Sequence, residues 1–512
     1  MINIIKLVTV QSDKKIVLKS VVSLFVITCL IVLLGFCIKN LLIEENLLFT
    51  TSEYLEETPV TITSKTDPLG KLVFLAHGFA GSTEFMRALA VALARDGHVV
   101  IRFDFLGHGK HKIPFSGDVK SKNGPTRQFV SQLNQVINGY KERYNSSKVV
   151  LIGHSMASDI IIRATQGRDD IESVIAISSY TDEIPKNDFP NLLVINGEWE
   201  KGLTNKTLEL FNKIGIDNPK IDKLYGEILG NNARKTIVIP GADHVGILYA
   251  KKTQLEILNW ISNSKEKFER KTNRIGVWAL GVFGSLFLIG LFLPTFLKKN
   301  KKENFSISTV RYMVFGFTTI IFLPLFLTKF SSEFLRFPVH NHIFNTFLFI
   351  TILWVLISPV FMKEKWLHAL SLKLFGCLTV YYLFGLGFIL NYYVSTYYVS
   401  VGRIEIFLIL LIVTIPVCLI IQILYETSIR GVLVANLFKV TIICSLIFSI
   451  YLNPSDLFLL AYAVLLFVAF FLVFGLLSNV INNKVRSFVS IGIVNGVMLS
   501  LTFSSAIPLY LP

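Results

Sequence analysis

Cysteine, proline and charge are all scarce in this chain of 512 residues, which holds five Cys, 16 Pro and only 17% charged side chains. Each shortage excludes a class of protein. Cys29, Cys37, Cys377, Cys418 and Cys444 all fall inside apolar runs, so the polar part holds no cysteine for a disulfide framework or a zinc site. Few prolines set against 42 Phe exclude a collagen-like or disordered chain. What is abundant is apolar side chain, 52% of residues, with a mean hydropathy of +0.57. Such a composition belongs largely in lipid.

The formal charge of +15 divides unevenly along the chain. Residues 39–274 carry 31 Lys+Arg against 28 Asp+Glu, whereas the remainder carries 19 against 7. The basic excess therefore sits between apolar spans, which argues against a nucleic-acid partner. Clusters such as Lys298, Lys299, Lys301 and Lys302 read instead as topology determinants.

A hydrocarbon core of about 30 Å needs roughly 20 apolar residues of helix. Nine runs approach that size: 20–38, 275–297, 312–328, 343–362, 374–394, 406–425, 432–452, 457–477 and 488–510, the third being short. The first lacks an A-x-A cleavage site and has Phe36 ahead of Cys37, so it reads as an uncleaved signal anchor. With the N-terminus inside, the inner segments hold 15 Lys/Arg and the short outer loops hold Lys329, Arg336 and Arg403. That asymmetry puts residues 39–274 outside. The expected organisation is a cytoplasmic N-terminus and anchor at 1–38, a tether at 39–60, a polar domain at 61–264, a linker at 265–274 and a membrane domain of about eight helices at 275–512.

In the polar domain, apolar β-rich runs at Leu72–Ala76, Val99–Phe103, Val149–Ile152, Val174–Ile177, Leu192–Ile195 and Thr236–Ile239 alternate with helix-length amphipathic segments. Helices fit at about 83–95, 125–144, 156–166, 203–214 and 248–264. This is the pattern of a mostly parallel sheet with crossover helices on both faces, beside an all-α membrane domain.

The strand at Val149 runs through Gly153-His-Ser-Met-Ala157 directly into a helix. A serine on so tight a turn needs small residues two positions to either side, and Gly153 and Ala157 supply them. The stretch resembles the nucleophile elbow of the α/β-hydrolase superfamily, G-x-S-x-G, with Ala157 in place of the last glycine. Three further segments fall in the order that this family implies. His77-Gly-Phe-Ala-Gly81 looks like its oxyanion loop, and Phe103-Asp-Phe-Leu-Gly-His-Gly109 is similar to its D-x-x-G-x-G turn, where Asp104 reads as structural. Gly241-Ala-Asp-His-Val245 resembles its histidine loop.

The resemblance implies Ser155 as nucleophile, His244 as general base and Glu200 as the acid, with Glu198 and Asp182 as alternative acids. It assigns the oxyanion-hole N–H groups to Phe79 and Met156, supported by His77 and Gly78. His77, His108 and Asp243 also have ordinary roles as loop hydrogen-bonders. The implied function is a membrane-anchored serine hydrolase that cleaves an ester through an acyl-enzyme, without metal or organic cofactor. Its partners would be a membrane lipid or a lipid-linked or acylated surface substrate, and the oligomeric state is left open. An acyltransferase or peptidase on the same residues, or an inactive hydrolase-fold scaffold, are the alternatives.

Within the spans the polar residues are few. Lys439 reads as a snorkelling side chain near the inner face, Asn436 and Asn495 join it, Glu405 lies at the outer rim, and His340 and His342 sit in an outer loop. That is too thin a pattern for ion-coupled transport. Richness in Phe, Ile, Lys and Asn suggests a low-GC bacterium and hence its plasma membrane, a eukaryotic endomembrane being the alternative.

Overall fold

The structure, a computed structural model, describes residues 2–118, 121, 124–185, 189–262, 270–297, 309–330, 332–357, 370–427, 429–485 and 487–512. The basic cluster Lys298, Lys299, Lys301 and Lys302 lies outside them.

Eleven strands are present among these residues: β1 (Phe49–Leu55), β2 (Thr58–Ser64), β3 (Leu72–Ala76), β4 (Val99–Phe103), β5 (Phe115–Ser116), β6 (Val149–His154), β7 (Ile171–Ile177), β8 (Asn191–Gly197), β9 (Leu224–Tyr225), β10 (Arg234–Ile239) and β11 (Tyr510–Leu511). Nine form one sheet in the order β1-β2-β4-β3-β6-β7-β8-β10-β9. The six central strands run parallel, and β1, β2 and β9 are antiparallel to their neighbours.

The central strands are mostly apolar because both faces of the sheet are covered. Leu72, Phe74, Val149, Leu151, Leu192 and Val194 pack beneath the helices Pro125–Arg143 and Met156–Ala164. Their chain neighbours Val73, Leu75, Val150, Ile152, Leu193 and Ile195 point the other way, beneath Arg87–Arg95 and Lys251–Ser262. The period-two alternation of a strand thus fills two cores from one set of sequences.

Residues 39–60, expected as a tether, are largely structured. The entry helix runs on to Glu44, and β1 and β2 extend the sheet from Phe49. Most of β1 is exposed, as Thr-Ser-Glu there announces, so no apolar run betrays it.

Among the described residues eight helices are long and apolar enough to cross a bilayer: Lys19–Glu44, Ile275–Phe296, Pro338–Leu356, Leu372–Tyr393, Val401–Tyr425, Arg430–Leu452, Leu460–Val485 and Phe488–Ala506. A shorter apolar helix at Tyr312–Leu327 matches the run expected to be short. These mark a multi-pass membrane protein. The last expected span, 488–510, stops at Ala506, and the chain then turns extended so that Tyr510–Leu511 pairs with Phe115–Ser116. Sequence hydropathy alone cannot separate such an apolar strand from the end of a span.

Two seams fix the polar domain on the membrane region. At the entry, Glu45 accepts from Nε and Nη2 of Arg87 at 2.7 and 2.5 Å, and Glu44 pairs with Arg95 and accepts from Arg274 N–H. On the far side Arg403, with no exposed surface, donates to the carbonyls of Ser504 (2.9 Å), Ile507 (2.7 Å) and, on the sheet domain, Gly107 (2.7 Å). Leu509 N–H also reaches the Gly107 carbonyl at 2.8 Å. Replacing Arg403 by Ala removes the donor common to three buried carbonyls. It is expected to cost about 3 kcal/mol, read as a thermal midpoint several degrees lower. A variant that melts with the wild type would show that this seam bears no weight.

Candidate active site

Ser155 stands between the end of β6 and the helix Met156–Ala164 with φ +53° and ψ −117°. A non-glycine residue held there costs on the order of 1–3 kcal/mol, so the surroundings must impose it. They do so through close packing. A Cβ on Gly153 would lie 2.5 Å from the Ala157 carbonyl oxygen, and one on Gly78 would lie 3.0 Å from Ser155 Cβ. The Ser155 N–H is tied to the Ile177 carbonyl at 2.9 Å. The hydroxyl is thereby lifted out of the sheet at the first turn of a helix.

His244 Nε2 lies 2.8 Å from Ser155 Oγ, and its Nδ1 lies 2.5 Å from Glu200 Oε1. The other carboxylate oxygen accepts from Gly197 N–H at 2.7 Å and from Ser178 Oγ at 2.8 Å. Oε1 is therefore turned to the imidazole. Burial raises the pKa of Glu200, whose side chain is 7% exposed, but the hydrogen bonds from His244, Gly197 and Ser178 outweigh it and hold the carboxyl below its ordinary range. An ionised acceptor at Nδ1 fixes the tautomer that leaves Nε2 free to take a proton from Oγ.

The other acids lie apart from this chain. Glu198 accepts the Gly241 N–H at 2.7 Å, and Asp182 is exposed with no bond to His244. Asp243 caps the turn after the histidine through Val245 and Gly246 N–H.

The amides of Phe79 and Met156 border Ser155 and have no hydrogen-bond partner among the described residues. The first is set by His77, whose Nδ1 bonds the Gly78 carbonyl at 2.8 Å while its Nε2 accepts from Phe105 N–H at 3.1 Å. Burial lowers the His77 pKa to about 4, so the ring is neutral and structural. Asp104 likewise serves the frame, accepting Thr83 and Lys110 N–H at 2.7 and 2.8 Å.

Two residues were not legible beforehand. His154 sends Nε2 to the His244 carbonyl at 2.8 Å, tying the histidine loop to the elbow strand; burial and the neighbouring His244 lower its pKa to about 4. Ser178 is the second donor to Glu200. Neither carries a sequence signal, since each looks like an ordinary polar residue at a strand end. The loops of the site also bear exposed apolar side chains, Phe79, Tyr180, Trp199 and Val245. Among the described residues no group of His, Cys, Asp and Glu is arranged to hold a metal.

Residues 67–223 match the family model described as serine aminopeptidase, S33. No curated protein matches the chain. Similar solved structures include an epoxide hydrolase from Vigna radiata, at 11% identity over 43% of this chain and 99% of that one, with a TM-score of 0.31. TT1662 from Thermus thermophilus is 18% identical over 42% and 98%, also at 0.31. A Vigna radiata epoxide hydrolase mutant is 17% identical over 28% of this chain and 42% of its own length, at 0.22. The matched family and the strand order make the sheet domain an α/β-hydrolase domain.

The depressed pKa of Glu200 has a testable sign. The ionised carboxylate stabilises the fold above its ordinary pKa of about 4.3, and this contribution is lost as pH falls through the lower folded-state value. Glu200→Gln is expected to lower the thermal midpoint near neutral pH and to converge on the wild type in acid. Melting curves that stay equally separated at every pH would remove Glu200 from this role.

Proposed function

We propose that the α/β-hydrolase domain is a working serine hydrolase that cleaves an ester presented at the membrane surface. The observation that carries this reading is the unbroken hydrogen-bonded chain from Ser155 Oγ through His244 to Glu200. His244 Nε2 takes the Oγ proton as the oxygen attacks the acyl carbonyl. The oxyanion forms against the Phe79 and Met156 amides, and the helix that starts at Met156 adds its positive end. The protonated imidazole, paired with Glu200, then returns its proton to the departing alcohol, leaving an acyl-Ser155. Water, deprotonated by His244 in the same way, releases the acid and regenerates the serine hydroxyl.

The membrane surface enters through position. Both seams hold the domain against the spans, and the site's loops offer Phe79, Tyr180, Trp199 and Val245 to an apolar substrate. An acyl-lipid, or a lipid-linked or acylated surface polymer, fits that setting. The distribution of Lys and Arg supports an extracytoplasmic placement. The matched family description favours one second reading, hydrolysis of the amide at a peptide N-terminus by the same residues. Release of nitrophenol from an acyl ester against nitroaniline from an aminoacyl anilide separates the two.

A membrane-impermeant fluorophosphonate applied to sealed right-side-out vesicles is expected to label the wild type and neither Ser155→Ala nor His244→Ala. Turnover by those variants should fall by a factor on the order of 10³ or more. Labelling only after permeabilisation would reverse the orientation, and no labelling in either condition would leave an inactive scaffold.

A further inference from the structure

Both flanks of the oxyanion loop are held by residues that belong to the membrane region. The Phe79 ring packs against His108 (centroids 5.4 Å apart) and Phe115 (6.4 Å) within the hydrolase domain, and against Phe458 (6.3 Å), which follows the span Arg430–Leu452. Phe458 is backed in turn by Tyr510 of β11 at 5.4 Å, and Tyr510 by Phe115 at 5.1 Å. Three rings from separate stretches of chain thus lie against one side of the Phe79 side chain, with Tyr510 behind two of them, while its other side stays open to the site. On the other flank, Thr396 N–H donates to Ser82 Oγ at 3.2 Å and Thr396 Oγ1 donates to Glu84 Oε2 at 3.0 Å. Between them the loop is tense: Ala80 has φ +57°, and from within the turn is closed on the Gly78 carbonyl, by Gly81 N–H at 3.0 Å and His77 Nδ1 at 2.8 Å.

We infer that the membrane region sets the oxyanion hole, with Phe458 as its principal positioning residue and Thr396 as the second. The inference rests on the serine-hydrolase reading and deepens it. Phe458 touches neither Ser155 nor His244; it acts through the Phe79 ring, which fixes the tilt of the peptide that carries the donor. An oxyanion donor is useful only within a few tenths of an ångström of its place, because the charge it meets exists only in the transition state. The hydrolase domain is then not a self-sufficient enzyme on a stalk. Its acid, base and nucleophile are internal, and its electrophilic half is completed by the outer loops between spans.

The test uses the full chain in nanodiscs with the short, soluble ester p-nitrophenyl butyrate, so that lipid access does not limit the rate. Phe458→Ala is expected to lower kcat about tenfold with KM within about twofold, the signature of a contact that matters only in the transition state. Inhibition by an alkyl boronic acid, whose adduct with Oγ is tetrahedral, should weaken by a similar factor. The pH midpoint of kcat should not move, because the His244–Glu200 pair is untouched. Phe458→Tyr, which keeps the ring, should recover most of the rate. A Phe458→Ala protein with wild-type kcat would overturn the inference while leaving the hydrolase reading intact. So would Phe458→Ala and Phe458→Tyr losing activity equally and only in proportion to folded protein. An inert, unlabelled wild type would overturn the hydrolase reading and this inference with it.

Discussion

A guanidinium with no accessible surface governs how the two halves of this protein meet. Burying a charge is costly unless it is hydrogen-bonded, and Arg403 spends Nη1 on the carbonyls of Ser504 and Ile507 and Nη2 on that of Gly107, leaving Nε without a partner among the described residues. Those acceptors belong to the end of the last span, the extended residue that caps it and the hydrolase turn. The carbonyls must converge on one point, so the three segments have one mutual arrangement. Around that point the apolar core does not stop at the bilayer. A single cluster runs from Leu72 and Phe74 in the sheet through Phe115 and Leu509 to Phe503 and Val413 among the spans. Gly107 shows how close the approach is, since a Cβ there would lie 2.3 Å from the Leu509 carbonyl oxygen.

Much of the hydrolase frame was legible because its signals are local. A fully buried parallel strand must be apolar along its whole length, and a strained serine turn must have small neighbours, so Val149–Ile152 and Gly153/Ala157 announce themselves. Glu200 was preferred over Glu198 and Asp182 by resemblance alone, and the structure brings Glu200 rather than either of those within 2.5 Å of His244. What escaped was whatever depends on distant segments. The hairpin β1–β2 is Thr-rich and half solvated, and it has no hydrophobic period to betray it. Residues 507–511 look like the tail of a span until the groove that receives them is known. His154 and Ser178 act on partners 90 and 22 residues away, and nothing in their own neighbourhoods records that.

The site also divides its labour between rigid and adjustable parts. Glu200 is clamped by two donors and His244 by the carbonyl bond from His154, so the proton-relay side is built into the central strands. The donor loop from His77 to Glu84 follows the C-terminal end of β3 and borrows its stiffness from elsewhere. Strain at Ser155 is stored where the packing is close, between Gly78, Gly153 and Ala157. A backbone held in an unfavourable region there keeps the hydroxyl turned toward His244.

The pairing of Tyr510 with the turn near Gly117 spans 393 residues of chain. The hydrolase sheet has all its strands once Ile239 is made, yet the groove beside Phe115 stays unfilled until the helix Phe488–Ala506 is in place and the strand that follows it arrives. Closing so long a loop is slow compared with folding a local βα unit. Insertion of the membrane region therefore precedes the final locking of the soluble domain. A chain stalled midway through insertion would hold a folded sheet but an unfinished seam, which makes completed topogenesis a built-in condition for the mature surface of the domain.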